Sequence, residues 1–149
     1  FIAKNSKQKR HLTVITNSIE ILLELSDVSG WDIIATGGLL KSGTMSLFGK
    51  KAADSISSYN ADKAFFSCKG IDLDKGATDR NDGSVVVKQS ILSSAGKIYL
   101  AVDSTKFGKV AFSKICSLSK VHVVVTDKKP DAAWLEAFEK MGIKCIYAE

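Results

Sequence analysis

Residues 97–108 read KIYLAVDSTKFG. Lys97 to Val102 form a mostly apolar run, and Asp103, Ser104, Thr105 and Lys106 follow at once. A short run with apolar residues at consecutive positions fits a strand buried on both faces, the condition of a parallel sheet. Open α/β sheets place their chemistry beyond the carboxyl ends of the strands. There this stretch sets a carboxylate, two hydroxyls and an ammonium.

The same grammar recurs on both sides. Leu12–Thr16, Asp32–Thr36, Lys63–Cys68, Val121–Thr126 and Ile143–Tyr147 are further β-rich runs. Helical spacing separates them. Asn17 followed by Glu20 is a capping-box pattern opening a helix through Ile19, Leu22, Leu23 and Ser26. Near the other end, Pro130 and Asp131 open a helix whose stripe is Trp134, Leu135, Phe138 and Met141, and Gly142 stops it. Weaker patterns mark helices at about 50–59 and 83–95. Strands alternating with helices predict right-handed crossovers and one α/β domain over 1–149. The expected architecture is a three-layer sandwich with a mostly parallel, Rossmann-like sheet of six strands.

Composition narrows the class. The 149 residues are 45% apolar and 25% charged, ordinary values for a globular domain that needs no disulfide or metal to fold. The longest stretch without Asp, Glu, Lys or Arg runs only from His11 to Ile19, against the roughly 20 apolar residues of a membrane span. Neither a span nor a signal peptide is expected. The net charge is +5, but Arg10 and Arg80 are the only arginines, so the forks that read bases are nearly absent. Cys68, Cys116 and Cys145 share no C-x-x-C spacing and read as free thiols in a reducing, cytoplasmic setting. His11 and His122 are expected to be structural rather than metal ligands.

Nucleotide and hydrolase signatures fail. Gly43 to Gly49-Lys50-Lys51 has one residue too many for a P-loop and no Ser or Thr after the lysine, and no G-x-G-x-x-G, G-x-S-x-G or H-E-x-x-H occurs. What the strand ends do carry is Thr16-Asn17-Ser18, Thr36-Gly37-Gly38, Lys69-Gly70-Ile71-Asp72, Asp103 to Lys106 and Thr126-Asp127-Lys128. These suit a small polyhydroxylated anion. Asn17 and Ser18 sit at a helix start, Gly37 and Gly38 admit close backbone approach, Lys69 and Lys106 supply point charges, and Asp72 and Asp103 accept sugar hydroxyls. Taken singly, each motif also reads as a cap, a turn or a local ion pair.

In order, LTVITNSIEI, IIATGGLLKSGTMSLFG, ADKAFFSCKGID, VVVK, VDSTKFG and VVVTD resemble the C-terminal effector-sensing domain of the DeoR family of bacterial transcriptional repressors, over Leu12 to Ala148. The resemblance implies a fold similar to ribose-5-phosphate isomerase, a homo-oligomer, and a phosphorylated sugar or related metabolite as effector. It also implies operator DNA bound through an N-terminal winged helix-turn-helix outside these residues. Its effector positions fall on Thr16, Asn17, Ser18, Gly37, Gly38, Gly70, Asp72, Asp103 and Lys106. The family's sensor normally begins with a further strand and a Gly-Thr-Thr phosphate loop, which nothing before Leu12 supplies. The Phe1 start reads as the middle of a longer polypeptide. No cofactor is implied.

The alternative is a sugar-phosphate isomerase or deaminase on the same fold, with Asp72, Asp103 and Lys106 as acid, base and clamp. The related isomerases place a carboxylate near the start of the helix after Thr78, where this chain reads Gly83-Ser84. That favours a sensor without catalysis.

Overall fold

The computed structural model of the chain describes residues 2–148. In chain order the elements are α1 (Ile2–Ser6), β1 (Thr13–Thr16), α2 (Ile19–Leu25), β2 (Asp32–Ala35), β3 (Leu39–Leu40), β4 (Leu47–Phe48), α3 (Lys50–Ser57), β5 (Ala61–Phe66) and β6 (Gly70–Asp72). The remainder are β7 (Gly76–Asp79), α4 (Asp82–Ser93), β8 (Ala95–Ala101), β9 (Ser113–Cys116), β10 (Val123–Thr126), α5 (Ala132–Lys140) and β11 (Lys144–Tyr147). One-turn 3-10 helices cover Ser104–Lys106 and Leu118–Lys120.

All six expected strands are present, but they do not share one sheet. Four pair in parallel in the order β11-β10-β8-β5, while β1 and β2 form a separate parallel pair. Periodicity reports burial, not neighbours, so the division was invisible to it. Five further strands were unforeseen: the antiparallel hairpin β3–β4 and the antiparallel sheet β6-β7-β9. Gly70-Ile-Asp72 and Gly76-Ala-Thr-Asp79 are short and rich in poor strand formers, and tertiary pairing overrides their local preference.

The core explains the layering. Phe66, Ile98, Leu100 and Val124 of the parallel sheet meet Val85 and Leu92 of α4, Phe138 of α5, and Ile71, Ala77 and Ile115 of the antiparallel sheet. Leu100 and Val124 are fully buried, and each such side chain contributes roughly 1.5–3 kcal/mol. A smaller cluster of Ala52 and Ile56 from α3 with Val87 from α4 takes Ile15 of β1 against it. The strands β5, β8, β10 and β11 advance in one direction across their sheet, so right-handed crossovers put α4 and α5 on the same face. Helices packed on a four-stranded parallel sheet make a mixed α/β arrangement compatible with the expected Rossmann-like fold.

Local chemistry fixes the helix starts. Ser18, not Asn17, caps α2, its Oγ accepting the Ile21 N–H at 3.3 Å. Asp131 caps α5 by accepting the Trp134 N–H at 3.1 Å. Asn17 is turned elsewhere: its Nδ2 donates to Leu47 O at 2.9 Å and ties β1 to the β3–β4 hairpin. The Nδ1 of His122 accepts the Ile98 N–H at 3.1 Å, a structural bond between neighbouring strands. No described helix is long and apolar enough to cross a membrane.

Candidate functional site

The carboxyl ends of β5, β8 and β10 open on one edge of the four-stranded sheet, because the three strands are parallel neighbours. The loop after β8 is the most constrained. Asp103 caps the 104–106 turn, its Oδ1 accepting the Thr105 N–H at 2.9 Å and the Thr105 hydroxyl, and Lys106 Nζ lies 3.8 Å from Asp103 Oδ2. From the next strand, Asp127 accepts the Ser104 N–H at 2.5 Å and the Ser104 hydroxyl at 3.2 Å. Hydrogen bonds to Thr105 hold Asp103 below the usual carboxylate range, and the Ser104 N–H does the same for Asp127. Both are ionised at neutral pH.

The expected residues divide into three groups. Asp103 and Lys106 share the turn after β8. Gly70 and Asp72 stand in β6, which a bridge between Ile71 and Phe107 ties directly to that turn. Lys69 precedes them on the loop after β5, exposed, and its charge helps keep Asp79 ionised. Thr16, Asn17, Ser18, Gly37 and Gly38 form the third group on the β1–β2 pair, joined by the Thr36 N–H to Thr16 O bond at 3.2 Å. No strand pairing connects this group to the other two among the described residues.

Several of these residues have structural work of their own. Asp72 Oδ1 accepts the N–H groups of Asp74 and Lys75, both at 2.9 Å, closing the β6–β7 turn, and those bonds lower its pKa. A side chain on Gly70 would place its Cβ 2.3 Å from Lys109 O, and one on Gly38 would stand 2.6 Å from Phe48 O. These glycines are required by close backbone approach.

Two hollows open on the same edge. One of about 160 Å³ lies between Ser104, Phe107, Lys128, Pro130 and Trp134. The other, shallower and about 500 Å³, is lined by Asp127, Lys128, Lys129, Tyr147 and Ala148. None of the ten expected residues lines either hollow, although Ser104 lies within the Asp103–Lys106 turn. Lys128 and Lys129, shared by both, join no ion pair among the described residues. Lys128 was legible as a strand-end residue; Lys129 and the Phe107–Trp134 contact, with ring centroids 4.9 Å apart, carried no separate signal.

A buried ion pair lies behind the edge and was also missed. Asp79, its side chain 7% exposed, pairs with Lys88 and accepts the Arg80 N–H at 2.7 Å. Burial raises its pKa, and Lys88 outweighs that, leaving it below the ordinary value. The carboxylate of Asp82 accepts the Ser113 hydroxyl and locks α4 to β9. Thus carboxylates do flank the start of α4, and both are engaged in holding elements together.

Comparison with known proteins matches this arrangement to a described family. The chain is 37% identical over 133 residues to the uncharacterized HTH-type transcriptional regulator YulB of Bacillus subtilis, covering 89% of this chain and 52% of that protein. It is 30% identical over 137 residues to the HTH-type transcriptional repressor GlcR of the same organism, covering 92% of this chain and 53% of the repressor. Against the L-fucose operon activator of Haemophilus influenzae it is 28% identical over 120 residues, 80% of this chain and 48% of the activator. The chain thus spans about half the length of these curated relatives. The family described as the DeoR C terminal sensor domain matches residues 1–128, from α1 through β10 to the Asp127 that holds the 104–106 turn. With the ordered strand-end motifs on that scaffold, the chain belongs to the DeoR C-terminal sensor domain family.

Proposed function

We propose that the chain is the ligand-sensing part of a cytoplasmic transcriptional regulator, taking a phosphorylated sugar or related metabolite at the carboxyl edge of the four-stranded sheet. The observation that carries this is the convergence on one edge of Lys69, the Asp103–Lys106 turn, and Asp127 with Lys128 and Lys129. Ammonium groups attract a phosphate, and ionised carboxylates accept sugar hydroxyls. Relatives named for the control of an L-fucose operon and for a putative aga operon repressor fit an effector of sugar chemistry.

A helix-turn-helix domain elsewhere in the polypeptide would bind operator DNA, as the names of the relatives suggest. Effector then changes operator affinity by binding the two states of the sensor unequally. The β1 edge away from β2 and the β5 edge away from β8 are unpaired among the described residues, and a further strand with a phosphate loop would fit between them. Such a strand would draw Thr16, Asn17 and Ser18 into the same edge as Lys106.

The reading is of a sensor without turnover, because Asp72 and Asp103, the carboxylates of the enzymatic alternative, are committed to closing the β6–β7 turn and capping the 104–106 turn. Titration calorimetry of the full-length regulator against a panel of pentose and hexose monophosphates tests it. Saturable binding with no conversion of ligand is expected; no heat with any member, or turnover of ribose 5-phosphate, overturns it.

A further inference from the structure

The smaller hollow, between the 104–106 turn and the start of α5, has walls that are already set. Phe107 meets Trp134 edge to face, and both rings pack on Phe138, with centroids 6.4 and 5.6 Å from it. Phe138 is 1% exposed and belongs to the core, so the aromatic wall is anchored to the sheet beneath it. Pro130 completes the apolar side. At about 160 Å³ the hollow is near half of the roughly 300 Å³ at which sites that enclose a whole small ligand begin. It is sized for part of a metabolite.

Its polar groups are an acceptor and a donor left over from structural work. Asp131 gives Oδ1 to the Trp134 backbone N–H, while its Oδ2 accepts no hydrogen bond among the described residues. The Trp134 indole N–H likewise has no partner there. Lys128 and Lys129 set two positive charges against the one negative charge of Asp131, which disfavours a cationic substituent. A hydroxyl would leave the apolar wall bare. An acylamino group answers every side of the hollow: its N–H donates, its carbonyl accepts, its methyl covers aromatic surface, and it is neutral. The hollow also adjoins the turn of the proposed site, because Ser104 and Phe107, which line it, are the chain neighbours of Asp103 and Lys106.

Resting on the reading of this edge as a sugar-phosphate site, we infer that the effector is a hexosamine phosphate bearing an N-acyl group, and that the acyl group is seated in this hollow. The Trp134 indole donates to the acyl carbonyl, Asp131 Oδ2 accepts the amide N–H, and the methyl lies against Phe107 and Pro130. Trp134 is then a specificity-determining residue, while the lysine-bearing edge beside it holds the rest of the molecule.

Calorimetry of the full-length regulator tests this by comparing the N-acetylhexosamine 6-phosphates of the gluco, galacto and manno series with the hexose 6-phosphate of the same series. In at least one series the N-acetyl compound is expected to bind about tenfold tighter, the worth of one buried methyl and one hydrogen bond. Trp134→Ala should bring that pair within about twofold of each other. Because Trp134 also packs on Phe138, Trp134→Phe is the second variant: it keeps the aromatic wall, removes the indole N–H, and should lose about threefold of the preference with the circular dichroism unchanged. The Trp134 indole proton, assigned by its absence from the Trp134→Phe spectrum, should shift with the N-acetyl compound and stay in place with the hexose phosphate. Hexose phosphates that bind as tightly as their N-acetyl counterparts, a preference that survives both variants, or an unmoved indole proton would each overturn this assignment and leave the edge as a sugar-phosphate site. No binding by any of the compounds would overturn both readings.

Discussion

The carboxylate of Asp127 accepts the backbone N–H of Ser104 at 2.5 Å, joining the end of β10 to the turn after β8. The bond makes Asp127 the support of a neighbouring loop. That loop carries Asp103 and Lys106, so the geometry of the proposed site depends on a residue one strand away.

Replacing Asp127 by Ala should therefore loosen the 104–106 turn and weaken binding of a sugar monophosphate about tenfold. Asp127→Asn retains an oxygen able to accept the Ser104 N–H and should recover much of that loss. The Ser104 amide proton shift in an NMR spectrum reports the bond directly; it should move in Asp127→Ala and remain near wild type in Asp127→Asn.

Lys106→Ala removes an ammonium that only partly answers Asp103 across 3.8 Å. Effector response is expected to fall while operator affinity without effector stays unchanged, measured by fluorescence anisotropy of operator DNA. Loss of both together would place Lys106 in the folding of the sensor instead.

The Asp79–Lys88 pair predicts an acid limit to stability. Asp79 has a folded pKa below its ordinary 3.8, so the folded chain binds fewer protons than the unfolded one in that range. Its contribution is present above pH 3.8 and disappears as pH falls through the lower folded value. The urea midpoint should drop in that window, and less steeply in Asp79→Asn. Lys88→Met strands a nearly buried carboxylate and should cost on the order of 3 kcal/mol at pH 7.

At Gly76 an added Cβ would stand 2.1 Å from Cys116 O, and the backbone holds φ at +81°. Gly76→Ala should destabilise by at least about 2 kcal/mol, read from the urea midpoint. Gly43→Ala, at φ +75° with nothing within 4 Å of the added Cβ, isolates the backbone strain and should cost less.

The thiols give a chemical check on burial. Desolvation pushes Cys68 and Cys116 up to about 11. Only about one part in a thousand of either is thiolate at pH 8, so alkylation of the native chain should be slow and become fast in denaturant.

Continuous apolar runs made β8 and β10 legible, and the Pro130, Asp131 and Gly142 signals placed α5 to within about two residues. The division of the parallel strands was not legible, because Thr13–Thr16 has the same apolar grammar whether or not another strand lies beside it. The place of Asp103 to Lys106 just beyond β8 followed from the sequence, whereas the turn that Asp103 caps through Thr105 did not. The Asp79–Lys88 pair did not: nine residues separate its members, and only the packing of β7 against α4 brings them together. Gly38 was read, with Gly37, as admitting close backbone approach, and the backbone nearest it is Phe48 O; Gly70, an effector position implied by the resemblance, stands against Lys109 O.

The most direct test of ligand sensing at the sheet edge is an NMR titration of the isotope-labelled full-length regulator with pentose and hexose monophosphates, using inorganic phosphate and free sugars as controls. The account predicts saturable shifts at Lys69, at Asp103 to Lys106 and at Asp127 to Lys129 for at least one sugar phosphate. Shifts confined to other parts of the chain, or none with any member of the panel, would contradict it.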